Sequence, residues 1–357
     1  MSTPSQQKAL VLEYKQGPLV LKQIDVPKPG PEEVLLRIDA AALNPADWKI
    51  QTLGIIIQKY PTIPGFDAAG TIVEVGSAVK DYAVNDRVIF QGWYDPEDYS
   101  GYGVFREYVV APLEVIAKFP ANISVEEAST ISSGLATAAF PLYNEAEDAP
   151  SIKLSPPWEE RGLGKYAGKP IFILGGATSI GQYLIQLARL SGFSPIVTTA
   201  SLKNSALLKS LGATHVLDRT LSTEALSAQA RALAGGADFE IVYDAISEPE
   251  TLAPAYAVTA PTGTLVKVLY TPIPGVPEEE LKTRVLCAHG LFKTPINRAV
   301  SASLLAKLPE LLASGAIKPN RPELLPGGLR GVEAGLARLR NNQVSAVKLV
   351  VRPPETE

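Results

Sequence analysis

IFILGGATSIGQYLIQ, residues 171–186, runs an apolar strand into glycines and then into an apolar helix. Two phosphate-binding turns share that outline. The spacing from Gly176 to Gly181 opens a P-loop, but a P-loop continues with Lys and then Ser or Thr, and here Gln182 and Tyr183 follow. No ammonium is supplied for a β/γ-phosphate and no hydroxyl for its Mg²⁺. The rival is a dinucleotide turn, with a pyrophosphate seated on the N-terminus of the following helix. Thr178 stands where that fingerprint has its middle glycine, so the flanking segments must decide.

Downstream the pattern alternates strand and helix. IFIL leads to IGQYLIQLARLSG, then PIVTT, KNSALLKSLG, HVLD, STEALSAQARALAGG, FEIVYDA, a helix near PETLAPAYAV, and GTLVKVL. Such alternation across short turns predicts a parallel sheet with helices on both faces. This is a doubly wound α/β domain, whose ligand sits at the turn after its first strand. Upstream the texture is β-rich. KALVLEY, LVLKQIDV, EVLLRIDAAAL, GTIVEVG, DRVIF and FREYVVAP are short β-prone runs between Gly/Pro turns. They predict a barrel or sandwich, with no long helix before about Ser124. Ser124 and Glu127 then form a capping box for one helix through SVEEASTISSGLATAAFPLYNEA. DAPSIKLSPPWEERGLGKYAGKP reads as a surface loop. Near the end two amphipathic helices precede SAVKLVVRP, a strand with no βαβ partner that is assigned back to the first domain.

Composition narrows the function. The chain has 357 residues, is 46% hydrophobic and 20% charged, and carries a net charge of −4, so nothing favours a nucleic-acid or anionic-membrane partner. No apolar run is long enough for a bilayer, and MSTPSQQK lacks the apolar core of a signal peptide, so the expected location is cytoplasmic. Cys287 is the lone cysteine and His215 and His289 are the two histidines, which removes disulfides and Cys₄ zinc. His215, in THVLD, reads as a packed histidine. Cys287 and His289, in VLCAHG, alternate onto one strand face but lack further soft ligands, so no metal is expected.

The second strand of the alternating region selects the cofactor. An NAD site has an acid about 20 residues past the turn, to accept from the ribose 2′-hydroxyl. Here PIVTT runs into Ala200, Ser201, Leu202, Lys203 and Asn204. A hydroxyl, an ammonium and an amide suit a 2′-phosphate, and Arg219 after the third strand adds a second charge. The reading is NADPH over NADH. Ser201 and Asn204 also suit caps for the next helix, and the two roles are compatible.

PGFDAAGTIVEVG at 64–76, NPADWKIQ at 44–51, DRV at 86–88 and the final VSAVKLVV together resemble the medium-chain dehydrogenase/reductase superfamily, over nearly the whole chain. The resemblance implies a GroES-like β-rich catalytic domain, residues 1–125 and 318–357, clasping a Rossmann domain, residues 126–317. The active site would lie in the cleft between them. Zinc-dependent members carry Cys at the position of Asn44 and a His–Glu pair at Phe66 and Asp67, so the chain looks like the zinc-independent quinone and enoyl reductases. RLSGFSPIVTTASLKN, GLATAAFPLY and the proline-rich loop at 149–165 resemble fungal stand-alone enoyl reductases that serve polyketide synthases in trans.

Carried over by position, the resemblance implies that Asn44, Ala46, Asp47, Trp48 and Lys49 line the nicotinamide side of the cleft. Thr137 would lie near nicotinamide and substrate. Thr178, Ser179, Ile180 and Gly181 would cradle the pyrophosphate, with Leu269 and Ser345 completing the cofactor envelope. Relatives often have Tyr at the position of Arg219. Relatives also include both dimers, joined through the Rossmann sheet edge, and monomers in which extra loops block that edge; monomer and homodimer both stay open here.

Without a metal to polarise an alcohol, the expected reaction is hydride transfer from NADPH to an activated acceptor. Addition to a C=C conjugated to a carbonyl builds an enolate, which needs a donor at its oxygen and then a proton. Lys49 is the candidate donor, against a solvated lysine or a ribose contact. Thr137 either bonds the acyl oxygen or satisfies a helix carbonyl. Tyr60 and Tyr94 are candidate proton donors or packing residues, and Asp67 is expected to hold its glycine-rich turn. Three functions follow: an enoyl, alkenal or enone reductase for small or carrier-bound substrates, a quinone reductase, and an NADPH-binding protein without turnover.

Overall fold

Two large β-sheets and a hairpin organise the computed structural model, which describes residues 3–94 and 102–357. The hairpin pairs β1 (Gln6–Leu12) with β2 (Leu19–Asp25). β3 (Glu33–Ala42), β4 (Asp67–Val75), β5 (Arg87–Gln91), β6 (Tyr108–Pro112) and β7 (Ile116–Lys118) form an antiparallel sheet, interrupted after β3 by α1 (Pro45–Leu53). α1 is not read from the sequence, which excludes only a long helix before about Ser124. It is short, but Asn44 caps it, Asp47 returns the capping box, Pro45 starts it and Gly54, at φ +63°, ends it.

The Ser124–Glu127 capping box forms as expected. It starts only α2 (Val125–Ser129), because the chain turns at Thr130 and Ile131 before α3 (Ser132–Tyr143). The stretch at 149–165 is also more than a surface loop. Trp158 is buried edge-on to Tyr143 at 5.3 Å and its indole N–H donates to Ser303 Oγ at 2.9 Å.

The second sheet comprises β8 (Ile171–Leu174), β9 (Ile196–Ala200), β10 (His215–Asp218), β11 (Phe239–Asp244), β12 (Thr259–Lys267) and β13 (Arg284–Cys287). All its pairs are parallel, in the order β10-β9-β8-β11-β12-β13. This is the doubly wound 3-2-1-4-5-6 order, whose direction reverses between β8 and β11. Between its strands run α4 (Ser179–Ser191), α5 (Ser205–Leu211), α6 (Thr223–Leu233) and α7 (Pro249–Val258). His215 is exposed at the outer strand rather than packed, because β10 has no neighbour beyond it. β13 ends at Cys287, so His289 lies beyond the strand and does not share its face.

α8 (Arg298–Ala313) leads back to the first sheet, where β14 (Pro322–Leu324), α9 (Gly331–Arg340) and β15 (Lys348–Val351) complete the described chain. β15 pairs antiparallel with β3, which places the final strand in the first sheet. One apolar cluster crosses from Ile38 and Phe90 to Tyr183 and Leu304, so the two sheets share a core rather than meeting at a wet interface.

Candidate active site

The turn after β8 is packed so closely that two of its positions have no room for a side chain. Gly175 takes φ +76°. A Cβ on Gly176 would lie 2.1 Å from Thr198 Oγ1, and one on Gly181 would lie 2.2 Å from the Gly175 carbonyl oxygen. The missing middle glycine is therefore no obstacle: Thr178 serves as the N-cap of α4, its hydroxyl accepting the Gly181 N–H at 3.0 Å. Gln182 N–H donates to the Thr178 carbonyl. Among the described residues that leaves the N–H groups of Ser179 and Ile180 without a helix carbonyl, at the positive end of the helix dipole, where an anion could be held. The Ser179 hydroxyl is turned away, bonded to the buried Asn320.

The C-terminal ends of β9 and β10 bring the next candidates together. Ala200 pairs with Asp218, and Arg219 N–H donates to the Ala200 carbonyl at 3.1 Å, so Ser201 and Arg219 leave the sheet side by side. Lys203 and Arg219 are exposed. Asn204 donates to Ser345 Oγ at 3.1 Å, which joins this rim to the chain's return. Leu269 follows β12, half-buried, at the C-terminal end of the same parallel sheet, three strands away from β9.

α1 carries the opposite wall. Lys49 is half-buried, and burial holds its ammonium below the usual lysine range while Glu248, ahead of α7, opposes that shift. Its ammonium also lies 5.5 Å from the centre of the Trp48 ring. Ala46 and Trp48 pack partly buried against the core. Asn44 and Asp47 face inward. Asp47 Oδ2 accepts the Asn44 N–H at 2.7 Å, its other oxygen has no partner among the described residues, and burial raises its carboxyl to about 8.

Asn44 instead joins a buried cluster that sequence reading did not find. Lys348 donates to Asn44 Oδ1 at 2.7 Å and to Asp67 Oδ2 at 2.8 Å, and Asn44 Nδ2 donates to the same Asp67 oxygen at 3.0 Å. Asp67 Oδ1 accepts the Ser133 N–H of α3 at 2.7 Å. Asp67 thus opens β4 and ties it to α1, α3 and β15 rather than holding a turn. The signal was present only as three polar residues, far apart, each set in an apolar strand or at a helix cap.

α3 presents Thr137, whose carbonyl accepts from Tyr243 Oη at 2.5 Å and whose side chain lies against Gly290. Tyr60 Oη donates to the Ile57 carbonyl at 3.2 Å. Tyr94 is buried edge-on to Phe66, and its hydroxyl has no partner among the described residues. Cys287 and His289 sit at the far end of β13, where burial pushes the thiol up and the imidazole down. Among the described residues, no group of three or more His, Cys, Asp or Glu is placed to hold a metal.

Comparison with known proteins assigns this arrangement. The model of an alcohol dehydrogenase GroES-like domain matches residues 30–121, and that of a zinc-binding dehydrogenase matches residues 179–289. A trans-enoyl reductase, himH, of Aspergillus japonicus is 34% identical over 332 residues, covering 91% of each chain. The chain belongs to the medium-chain dehydrogenase/reductase superfamily. A chloroplast envelope quinone oxidoreductase homolog of Arabidopsis thaliana is 35% identical over 210 residues, 57% of this chain and 58% of that one. An alcohol dehydrogenase superfamily protein from Novosphingobium aromaticivorans shares the fold, with a TM-score of 0.78 at 23% identity over 97% of this chain and 99% of that one. This medium-chain reductase is accordingly an oxidoreductase whose Rossmann-type domain takes a nicotinamide cofactor. No helix among the described residues is long and apolar enough to cross a membrane.

Proposed function

We propose that this medium-chain reductase is zinc-independent and reduces a C=C conjugated to a carbonyl (an enoyl, alkenal or enone substrate) with NADPH. The observation that carries the reading is the Asn44–Asp67–Lys348 cluster. An amide, the phenyl ring of Phe66 and a carboxylate already neutralised by an ammonium 2.8 Å away are no donor set for zinc, which takes thiolate, imidazole or free carboxylate. With that donor set, a substrate that needs a Lewis acid is a poor fit and an acceptor already activated by conjugation is a good one. The similarity to a trans-enoyl reductase over 91% of the chain supports the same substrate type.

In this reading residues 1–125 and 318–357 are the catalytic unit and residues 126–317 hold the cofactor. NADPH, when bound, supplies the hydride. Ser179 and Ile180 N–H groups hold the pyrophosphate, with Thr178 and Gly181 shaping the turn. Ser201, Lys203, Asn204 and Arg219 hold the 2′-phosphate, while Leu269 and Ser345 close over the adenosine side. Lys49 donates to the carbonyl oxygen as negative charge develops there, and its half-burial strengthens that contact relative to water. Thr137 orients the acyl oxygen.

NADPH with deuterium at both C4 positions tests the reaction. Mass spectrometry should find one deuterium at the β-carbon of the saturated product; label absent from that carbon contradicts the assignment. The second reading, a quinone reductase, is favoured by the quinone oxidoreductase homolog, and formation of semiquinone or superoxide would separate it from alkene reduction.

A further inference from the structure

Gln91, the last residue of β5, is 1% exposed and reaches out of its own sheet. Its Nε2 donates to the Gly290 carbonyl at 2.9 Å, and its Oε1 accepts the Phe292 N–H at 2.7 Å. A primary carboxamide offers one donor and one acceptor in a fixed fork, which matches the alternate carbonyl and N–H of an extended chain. The segment 288–292 has left the end of β13 by this point, and side chains hold its backbone. Asn297 donates to the His289 and Leu291 carbonyls at 3.0 and 2.9 Å, and Ser301 Oγ donates to the Phe292 carbonyl at 3.2 Å. Asn297 is itself held by Asn144, at the end of α3, at 3.0 Å.

The segment is pressed onto Thr137. A Cβ at Gly290 would stand 2.2 Å from Thr137 Oγ1 and 2.7 Å from its backbone nitrogen. Only a glycine allows that approach, and only a tethered backbone keeps it there. The register adds a second tie: Gln91 pairs with Asp67, whose carboxylate crosses to the Ser133 N–H at the start of the same α3. Neighbouring residues of β4 and β5 therefore grip the two ends of one contact, α3 on one side and the 288–292 segment on the other.

We propose that Gln91 is a positioning residue for the reaction: its carboxamide stands in for a neighbouring strand and holds the 288–292 segment against Thr137, fixing that wall of the cleft. The proposal rests on the placement of Thr137 beside the substrate. Gln91→Met removes these two hydrogen bonds, and a longer one from Nε2 to Ser133 Oγ at 3.4 Å, at similar volume, while Gln91→Glu keeps the acceptor for Phe292 and loses the donor for Gly290. In both variants, amide hydrogen exchange across 288–292 should speed up. The kcat for an enoyl substrate should fall about 10- to 100-fold with a smaller change in KM, as misplacement rather than lost binding predicts. The isotope effect with C4-deuterated NADPH should rise as hydride transfer becomes limiting. Thermal melting identifies a variant that has merely lost its fold, and Gln91→Glu decides if Gln91→Met does so. Unchanged exchange would overturn the proposal, and so would faster exchange with unaltered kcat and isotope effect. The exchange measurement needs no substrate, so a wild-type enzyme inactive on every enone would overturn the functional reading while exchange still judged the clamp.

Discussion

At the scale of single residues, the buried titratable groups make the sharpest predictions. Asp47 titrates near 8 in the folded protein against 3.8 for an ordinary aspartate, because burial penalises its charged form. Between those values the folded state keeps a proton that the unfolded state has lost, so stability falls as pH rises through the window and levels off above it. Melting temperature followed against pH should show that decline, and Asp47→Asn should flatten it. Lys348 and Asp67 are a different case, an ion pair 4% and 0% exposed. Lys348→Met should cost about 3–5 kcal/mol in denaturant unfolding, by leaving a buried carboxylate uncompensated. Adding Asp67→Asn, which keeps the acceptor for Ser133, should recover part of that loss. On the cofactor rim, Lys203→Ala and Arg219→Ala should each weaken NADPH by about 1.5–3 kcal/mol, the worth of a hydrogen bond to a charged group, and leave NADH nearly unchanged in fluorescence titration. Equal weakening of both would misplace the 2′-phosphate. The rim is an expectation the sequence could raise because a missing acid and neighbouring donors sit within a few residues of a strand end. Lys348 and Gln91 were not legible, since their partners lie hundreds of residues away and nothing local marks either as more than a polar residue in a strand.

At the scale of elements, the glycine turn decides whether the cofactor domain works. Gly181→Ala would push a methyl to 2.2 Å from the Gly175 carbonyl, a backbone atom that cannot step aside. NADPH affinity should drop more than tenfold with the melting temperature lowered, because helix and strand must separate. An unaffected affinity would mean that the pyrophosphate sits elsewhere. The strand–helix alternation was readable because periods of two and 3.6 residues switch cleanly across short turns. α1 was missed for the opposite reason: nine residues are too few for a periodic stripe, and its Asn44–Asp47 capping box was the remaining signal. The helix expected from Ser124 was legible at its start but not at its break, where tertiary contacts outweigh propensity. Asp67 and Phe90 draw Ser133 and Ser132 toward the first sheet at that point.

At the scale of the whole molecule, the two-sheet plan followed from texture alone, and the return of β15 to β3 followed from a strand without a βαβ partner. The contacts between the halves did not, because pairing across a cleft leaves no periodic trace. In the proposed function those contacts matter for the chemistry: α1 carries Lys49, α3 carries Thr137, and the C-terminal ends of β8 to β10 carry the proposed phosphate donors. The proposed reaction is the reduction of conjugated alkenes with NADPH. The most direct measurement is the rate of NADPH consumption, followed by its near-ultraviolet absorbance, against an α,β-unsaturated acyl thioester, an alkenal, a cyclic enone and a quinone, each repeated with NADH. The account predicts turnover on the thioester or the enones, with NADPH strongly preferred. Turnover on the quinone alone, or equal use of NADH, would contradict it.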